Sequence, residues 1–135
     1  MPINNLTILH VDDDDIDRMM LRRSFKRAGV TPTLVQAEDA QVALDMLQAE
    51  DAEEPIRPCV ILLDVHMPRM NGFEVLRELL ANPELKSLTV FILTTSSQPR
   101  DVRMAYEYNI AGFIPKDDAG PEFEGLIKLL AQYQS

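Results

Sequence analysis

Five polar side chains with reactive or metal-binding groups follow short apolar runs in this sequence. Asp12 and Asp13 come directly after the first run, and Asp64 comes after the third. Thr94 and Lys116 follow the fourth and fifth runs. Two chemistries use such groups: carboxylates bind hard cations, and a hydroxyl and an ammonium stabilise anionic oxygens.

Several carboxylates held close together repel one another unless a cation lies between them. Oxygen ligands of this kind suit Mg²⁺, or a similar divalent cation such as Mn²⁺, which takes one or two carboxylates and keeps several waters. Asp can also attack phosphorus as a covalent nucleophile and form an aspartyl phosphate. Charge on the transferred oxygens would then be neutralised by the metal, the hydroxyl and the ammonium. Together the residues predict metal-assisted phosphoryl acceptance.

Each of these side chains alone has a plainer explanation. Acidic residues after a strand often cap a helix, and this reading is preferred for Asp14 and Asp15 and left open for Asp12 and Asp13. Taken singly, Thr94 fits an ordinary residue at the end of a strand, and Lys116 fits an ordinary solvated lysine. His66, in the loop after the third run, fits either a metal ligand or an exposed histidine. Only the joint pattern favours a site.

The elements that must position these residues alternate regularly along the chain. Five short apolar runs predict strands at 6–11, 33–37, 59–63, 89–93 and 112–115. A helical pattern follows each run, and right-handed crossovers then give a doubly wound, five-stranded parallel sheet with helices on both faces. The carboxyl ends of such strands lie on one edge, where ligands bind. The pattern predicts an α/β fold in a single domain, 1–135, with no output domain.

The periodicity also predicts which helix faces are buried. The first helix should bury residues four apart and two neighbours: Ile16, Met20, Ser24, Ala28, Leu21 and Phe25. Gly29 should end this helix, and Asp39 should cap the second. The second and third helices should bury Ala40, Ala43, Leu44, Leu47, Phe73, Val75, Leu76 and Leu79.

Composition excludes several classes of protein. The net charge of -9 argues against nucleic-acid binding, and the apolar runs are too short to cross a membrane. The lone Cys59 cannot form an internal disulfide, and the start of the chain has no secretory signal, so we expect a cytoplasmic protein. Five basic residues share the first helix: Arg18, Arg22, Arg23, Lys26 and Arg27. A solvated face is the preferred reading, with a docking patch for an acidic partner as the alternative.

At this point the chain resembles the receiver domain of two-component response regulators, the CheY-like family. The matching segments span nearly the whole chain: Ile8-Leu9-His10-Val11-Asp12-Asp13, Ile61-Leu62-Leu63-Asp64-Val65-His66-Met67-Pro68, Met70-Asn71-Gly72, Phe91-Ile92-Leu93-Thr94-Thr95-Ser96 and Gly112-Phe113-Ile114-Pro115-Lys116. The resemblance implies a flavodoxin-like fold with strand order 2-1-3-4-5. The chain also looks like the stand-alone receivers paired with bacterial phytochromes.

The resemblance implies a role for each matching residue. Asp64 would be the phosphoacceptor and also one of the metal ligands, and Asp13 would bind the metal directly. Asp12 would act partly through water, and the backbone carbonyl of His66 would be a further metal ligand. Thr94 would be the hydroxyl that moves to the phosphoryl group.

Two further positions matter at the fifth strand. Lys116 would pair with the phosphoryl group or with Asp64, and Phe113 occupies the place of the family's switch aromatic. The family usually has Lys-Pro with a cis bond, whereas here Asp117 follows Lys116. A cis bond before a non-proline residue costs about 2.5–4 kcal/mol. The bond is therefore expected to be trans, or cis under strain.

The resemblance also implies partners. A sensor histidine kinase would supply the phosphoryl group, and a downstream protein would bind a face that includes Tyr106, Phe113 and the last helix; a homodimer is compatible with this. One alternative is a phosphorelay shuttle that passes the group to a histidine phosphotransfer protein. Another is a degenerate receiver that acts without phosphorylation. A haloacid-dehalogenase-type phosphatase would need a second Asp where His66 stands, and separate enzymatic turnover is not expected.

Overall fold

Five parallel strands form one sheet in the described part of the chain. The structure, a computed structural model, describes residues 6–48, 60–64, 72–82, 88–94, 106–108, 110–115 and 127–128, together with Arg103 and Leu130. Its strands are β1 (Thr7–Val11), β2 (Thr33–Ala37), β3 (Val60–Leu63), β4 (Thr89–Thr94) and β5 (Gly112–Pro115). Its helices are α1 (Asp15–Arg27), α2 (Ala40–Leu47) and α3 (Gly72–Ala81). The order β2-β1-β3-β4-β5, parallel at every pairing, confirms the predicted doubly wound fold.

Two apolar cores lie on opposite faces of the sheet, because successive strand residues point to opposite sides. Leu9 and Val11 of β1 pack with α2 and α3, whereas Ile8 packs with α1. The buried residues of α2 and α3 are the eight predicted from periodicity. All four residues of β3 are buried, as expected for a central strand covered on both faces. Within the described residues, no helix is long and apolar enough to cross a membrane.

The predicted buried face of α1 was partly wrong. Leu21, Ser24 and Phe25 are buried, but Ile16 is 58% exposed and Ala28 is also exposed. An α-helix has 3.6 residues per turn, so residues spaced by four drift around the helix by about 40° at each step. The two ends of the four-residue series therefore leave the face that contacts the sheet.

Helix termini are closed by the residues predicted for them. Gly29 has a φ of 73°, in the left-handed region that favours glycine, and it follows the last turn of α1. Asp14 caps the start of α1 by accepting hydrogen bonds from the N–H groups of Ile16 and Asp17, at 2.9 and 3.4 Å. Asp39 caps α2 by accepting from the N–H of Val42 at 2.8 Å.

Asp39→Ala is expected to lower the free energy of unfolding by about 1 kcal/mol, because an N–H of the first turn of α2 loses its acceptor. Asp39→Ser keeps an acceptor at the cap and serves as the matched control. Urea unfolding of metal-free protein measures both. Equal stability of wild type and Asp39→Ala would contradict the capping role.

Candidate functional site

Three carboxylates meet at the carboxyl end of the sheet. Asp12 follows β1, Asp13 follows it in sequence, and Asp64 follows β3. Each offers a carboxylate oxygen, and these oxygens lie within 4.8 Å of one another. Asp12 is fully buried and Asp64 is 6% exposed, while Asp13 is exposed. The site is thus an acidic cluster with two buried members and one that faces solvent.

Backbone pairing explains why Asp12 and Asp64, which are 52 positions apart in the chain, are neighbours. Val11 and Leu63 are register partners in the pairing of β1 with β3. The ladder continues beyond them, because the N–H of Asp64 donates to the carbonyl of Val11 at 3.0 Å. The N–H of Asp12 likewise donates to the carbonyl of Ala37 at 3.1 Å. Each buried acid is therefore placed by a central strand and not by a loop.

The Asp12 carboxylate and backbone are held by several groups. Its Oδ1 accepts a hydrogen bond from the N–H of Asp14 at 3.0 Å. Its backbone carbonyl accepts one from the Arg18 guanidinium at 2.6 Å. Arg18 is half-buried, so at this position α1 departs from the expected solvated basic face. The remaining basic residues of that face are exposed, as expected: Arg22, Arg23, Lys26 and Arg27.

Two polar residues next to the acids were missed by sequence reasoning. His10, in the middle of the apolar run of β1, is 1% exposed, and its Nε2 lies 3.5 Å from Oδ2 of Asp12. Gln36 is its register partner on β2, and Gln36 Nε2 lies 3.0 Å from Nδ1 of His10. The available signal was a histidine inside an otherwise apolar strand, because a buried polar side chain requires a partner.

Two strand ends carry the other predicted site residues. Thr94 is the last residue of β4, and its backbone pairs in register with Pro115, the last residue of β5. The Thr94 side chain and the whole of His66 and Lys116 lie outside what the structure describes, as does the Lys116–Asp117 bond. Their predicted roles therefore stay predictions. The sheet does bring the ends of β4 and β5 to the same edge as the acidic cluster.

Phe113 lies near this edge, on β5. It is half-buried, pairs in register with Ile92, and packs against the core cluster shared by α2 and α3. Tyr106, in a helical segment between β4 and β5, is 51% exposed. Gly112 allows close packing of β5, since a Cβ there would lie 3.1 Å from the Phe91 ring.

The donor set of the acidic cluster fits a hard divalent cation. All three ligands are carboxylate oxygens, which Mg²⁺ and Mn²⁺ prefer over nitrogen or sulfur. At an effective dielectric of about 20, two ionised carboxylates 4.8 Å apart repel by on the order of 3 kcal/mol. A cation held by these carboxylates would offset this repulsion, and Asp13 is the exposed member of the cluster.

The fold and the acidic cluster match one family of signalling domains. The family model of the response regulator receiver domain matches residues 8–128, and the chain belongs to this family. This confirms the CheY-like resemblance drawn from the sequence. Receiver domains are regulatory domains of two-component systems, and phosphorylation and Mg²⁺ binding are typical of the family.

Individual relatives agree with the assignment. Response regulator Rcp1 of Synechocystis is 34% identical over 110 residues, 81% of this chain and 75% of that protein. The probable methanogenesis regulatory protein FilR2 of Methanothrix harundinacea is 29% identical over 126 residues, 93% of this chain and 81% of that protein.

Two solved structures resemble the whole fold. The Mn²⁺-bound form of Rcp1 has a TM-score of 0.78 and 31% identity, and the alignment covers 96% of this chain and 92% of that one. The phosphorylated cyanobacterial phytochrome response regulator RcpA has a TM-score of 0.79 and 26% identity, over 96% of this chain and 91% of that one. One of these relatives was solved with a divalent cation and the other in a phosphorylated state.

Proposed function

We propose that this protein is a phospho-accepting switch in which Asp64 receives a phosphoryl group with the help of a divalent cation. One observation carries the proposal. Asp64 is a buried carboxylate at the end of a central strand, with oxygens of Asp12 and Asp13 within 4.8 Å. A structural carboxylate gains nothing from two acidic neighbours, whereas a metal-assisted acceptor needs them.

Phosphoryl transfer forms one bond and breaks another. A carboxylate oxygen of Asp64 attacks phosphorus, and the bond between phosphorus and the donor's leaving atom breaks, with its electron pair going to the leaving group. Asp12 and Asp13 would hold the cation, which supplies charge neutralisation for the phosphoryl oxygens. The burial of Asp64 limits the water available to hydrolyse the product, and the strand keeps the nucleophile in place.

The remaining roles follow from family membership and the chain's matching positions. The His66 backbone carbonyl would complete the protein ligands of the cation. Thr94 would donate to a phosphoryl oxygen, and Lys116 would pair with the same group. Phe113, which is half-buried on β5 beside β4, would respond to the movement of Thr94.

Upstream and downstream partners are part of the same proposal. A sensor histidine kinase would donate from a phosphohistidine, and the likeness to Rcp1 and RcpA favours a phytochrome-type kinase. A downstream protein would then bind the face around Tyr106 and Phe113. A shuttle that passes the group to a histidine phosphotransfer protein would use the same acceptor chemistry. The single domain, cytoplasmic location and possible homodimer stay predictions.

The direct test is exposure of the full chain to acetyl phosphate, with and without Mg²⁺, followed by intact-mass measurement. We expect one phosphoryl adduct when Mg²⁺ is present, because the small acyl phosphate needs no kinase contact. When EDTA replaces Mg²⁺ in the reaction, no adduct should form. Absence of any adduct at saturating Mg²⁺ would refute phospho-acceptance and favour a receiver that acts without phosphorylation.

A further inference from the structure

A series of polar side chains runs from the surface of α1 to the acidic cluster, between α1 and the sheet. Its members are Arg22, Gln36, His10 and Asp12, with Arg18 attached at two points. It begins at an exposed guanidinium and ends at a carboxylate that is fully buried. Among the described residues, no buried side-chain nitrogen or oxygen lacks a hydrogen-bond partner.

Donor and acceptor roles along this chain have one consistent assignment. Arg22 can only donate, and it bonds to Gln36, so this partner atom is the amide oxygen, Oε1. The Gln36 Nε2 then donates to the carbonyl of Arg18 at 2.9 Å, and that carbonyl can only accept. Both contacts fix the same orientation of the Gln36 amide.

The orientation of Gln36 determines the tautomer of His10. Gln36 Nε2 is 3.0 Å from His10 Nδ1, so Nδ1 must accept. In this tautomer the ring N–H is on Nε2. That N–H faces Oδ2 of Asp12 across 3.5 Å, while Oδ1 of the same carboxylate accepts from the N–H of Asp14. Both oxygens of Asp12 thus face a fixed donor.

A purely structural role explains this arrangement poorly. Ile8, which lies on the same face of β1, is fully buried in the apolar core, and an aliphatic residue at position 10 would need no hydrogen-bond partners. Burying an imidazole instead requires Gln36 to satisfy it. Among the described residues, the inner end of this arrangement is Asp12, one of the three acids of the site.

We propose that His10, held by Gln36 as the Nε2–H tautomer, is a positioning residue that orients the Asp12 carboxylate for divalent-cation binding. A donor that bonds to a metal ligand fixes the orientation of that ligand, and loss of such a donor typically weakens metal affinity by about 10–100-fold. The inference rests on the proposed metal site but not on phosphoryl transfer, so the two can fail separately.

Binding of Mn²⁺ to the full chain, followed by electron paramagnetic resonance of the free ion, tests the inference. His10→Leu removes the donor and is expected to raise the dissociation constant by at least about 10-fold. His10→Gln places an amide N–H near the former Nε2 position and should retain most of the affinity. Ser24→Ala, which removes a buried hydroxyl that bonds to the Met20 carbonyl in the same layer, should bind like wild type.

Metal-free thermal unfolding separates positioning from general destabilisation. We expect His10→Leu to be no less stable than wild type without metal, yet to gain less stability on addition of Mg²⁺. Wild-type Mn²⁺ affinity in His10→Leu would overturn the proposal. Neither Mn²⁺ binding nor thermal unfolding depends on phosphoryl transfer from acetyl phosphate, so a failure of that transfer in wild type would not affect these two measurements.

The tautomer itself can be measured in wild-type protein, which avoids any variant that does not fold. Long-range ¹H–¹⁵N correlation spectra distinguish the two ring nitrogens, and the chain has only two histidines. The signals lost in His10→Gln identify the ring. We expect a protonated Nε2 whose resonance shifts as Mg²⁺ is added. A proton on Nδ1, or a resonance that Mg²⁺ leaves unchanged, would contradict the proposal.

Discussion

Asp64→Asn is expected to abolish phosphoryl uptake from acetyl phosphate. The amide has nearly the same shape as the carboxylate but lacks its nucleophilic oxygen, so the step that forms the oxygen–phosphorus bond is lost. Removal of a covalent nucleophile elsewhere costs several orders of magnitude in rate, and we expect a loss on the order of 10³ or more here. Intact mass after a timed reaction measures it.

The same variant should remain folded and become more stable without metal. Asp64 is 6% exposed beside the fully buried Asp12, so replacing one charge removes repulsion inside the sheet edge. Asp45→Asn, the same change at an exposed position of α2, is the matched control and should accept the phosphoryl group as wild type does. A wild-type adduct on Asp64→Asn would show that another residue is the acceptor.

Asp13→Asn is expected to uncouple the protein from Mg²⁺. In wild type, a cation at 100 times its dissociation constant should raise the free energy of unfolding by about 2.7 kcal/mol. Most of this gain should be lost in the variant, because Asp13 is the exposed member of the cluster and one of its three oxygen ligands. Phosphoryl uptake should fall with it, since the cation neutralises the transferred oxygens.

The stability of Asp13→Asn relative to wild type should change sign when Mg²⁺ is added, which makes this prediction specific. Without metal, Asp13→Asn should be at least as stable as wild type, because one of three repelling charges is gone. With Mg²⁺ it should be less stable than wild type. Asp15→Asn, in the same acidic run but in the first turn of α1, is the control and should keep the full response. Denaturation curves at several Mg²⁺ concentrations measure both stability differences. An equal stabilisation of Asp13→Asn and wild type by Mg²⁺ would show that Asp13 is not a metal ligand.

Local chemistry explains why much of the fold was predictable. The bounds of β2 and β5, the Asp39 cap and the buried face of α2 each depend on a few neighbouring residues. Asp12 and Asp64 could be brought together from sequence because parallel strands share one carboxyl edge. The same rule does not predict which neighbouring groups contact each carboxylate.

The missed features are those that depend on contacts between distant segments. His10 and Gln36 are 26 residues apart, and their contact follows from the register between β1 and β2. Sequence periodicity marked His10 only as a residue within an apolar run. Ile16 was wrongly assigned to the core because a four-residue interval does not match the turn of the helix over three steps.

The most direct measurement of the central claim is chemical mapping of the phosphoryl linkage. Full-length protein treated with acetyl phosphate and Mg²⁺ is reduced with borodeuteride, which converts an acyl phosphate to an alcohol and releases phosphate. Peptide mass spectrometry then locates deuterated homoserine. We predict it at position 64 alone, and its absence when EDTA replaces Mg²⁺. Homoserine at position 12 or 13, or unmodified Asp64 in protein that carries the adduct, would contradict the assignment of Asp64 as the acceptor.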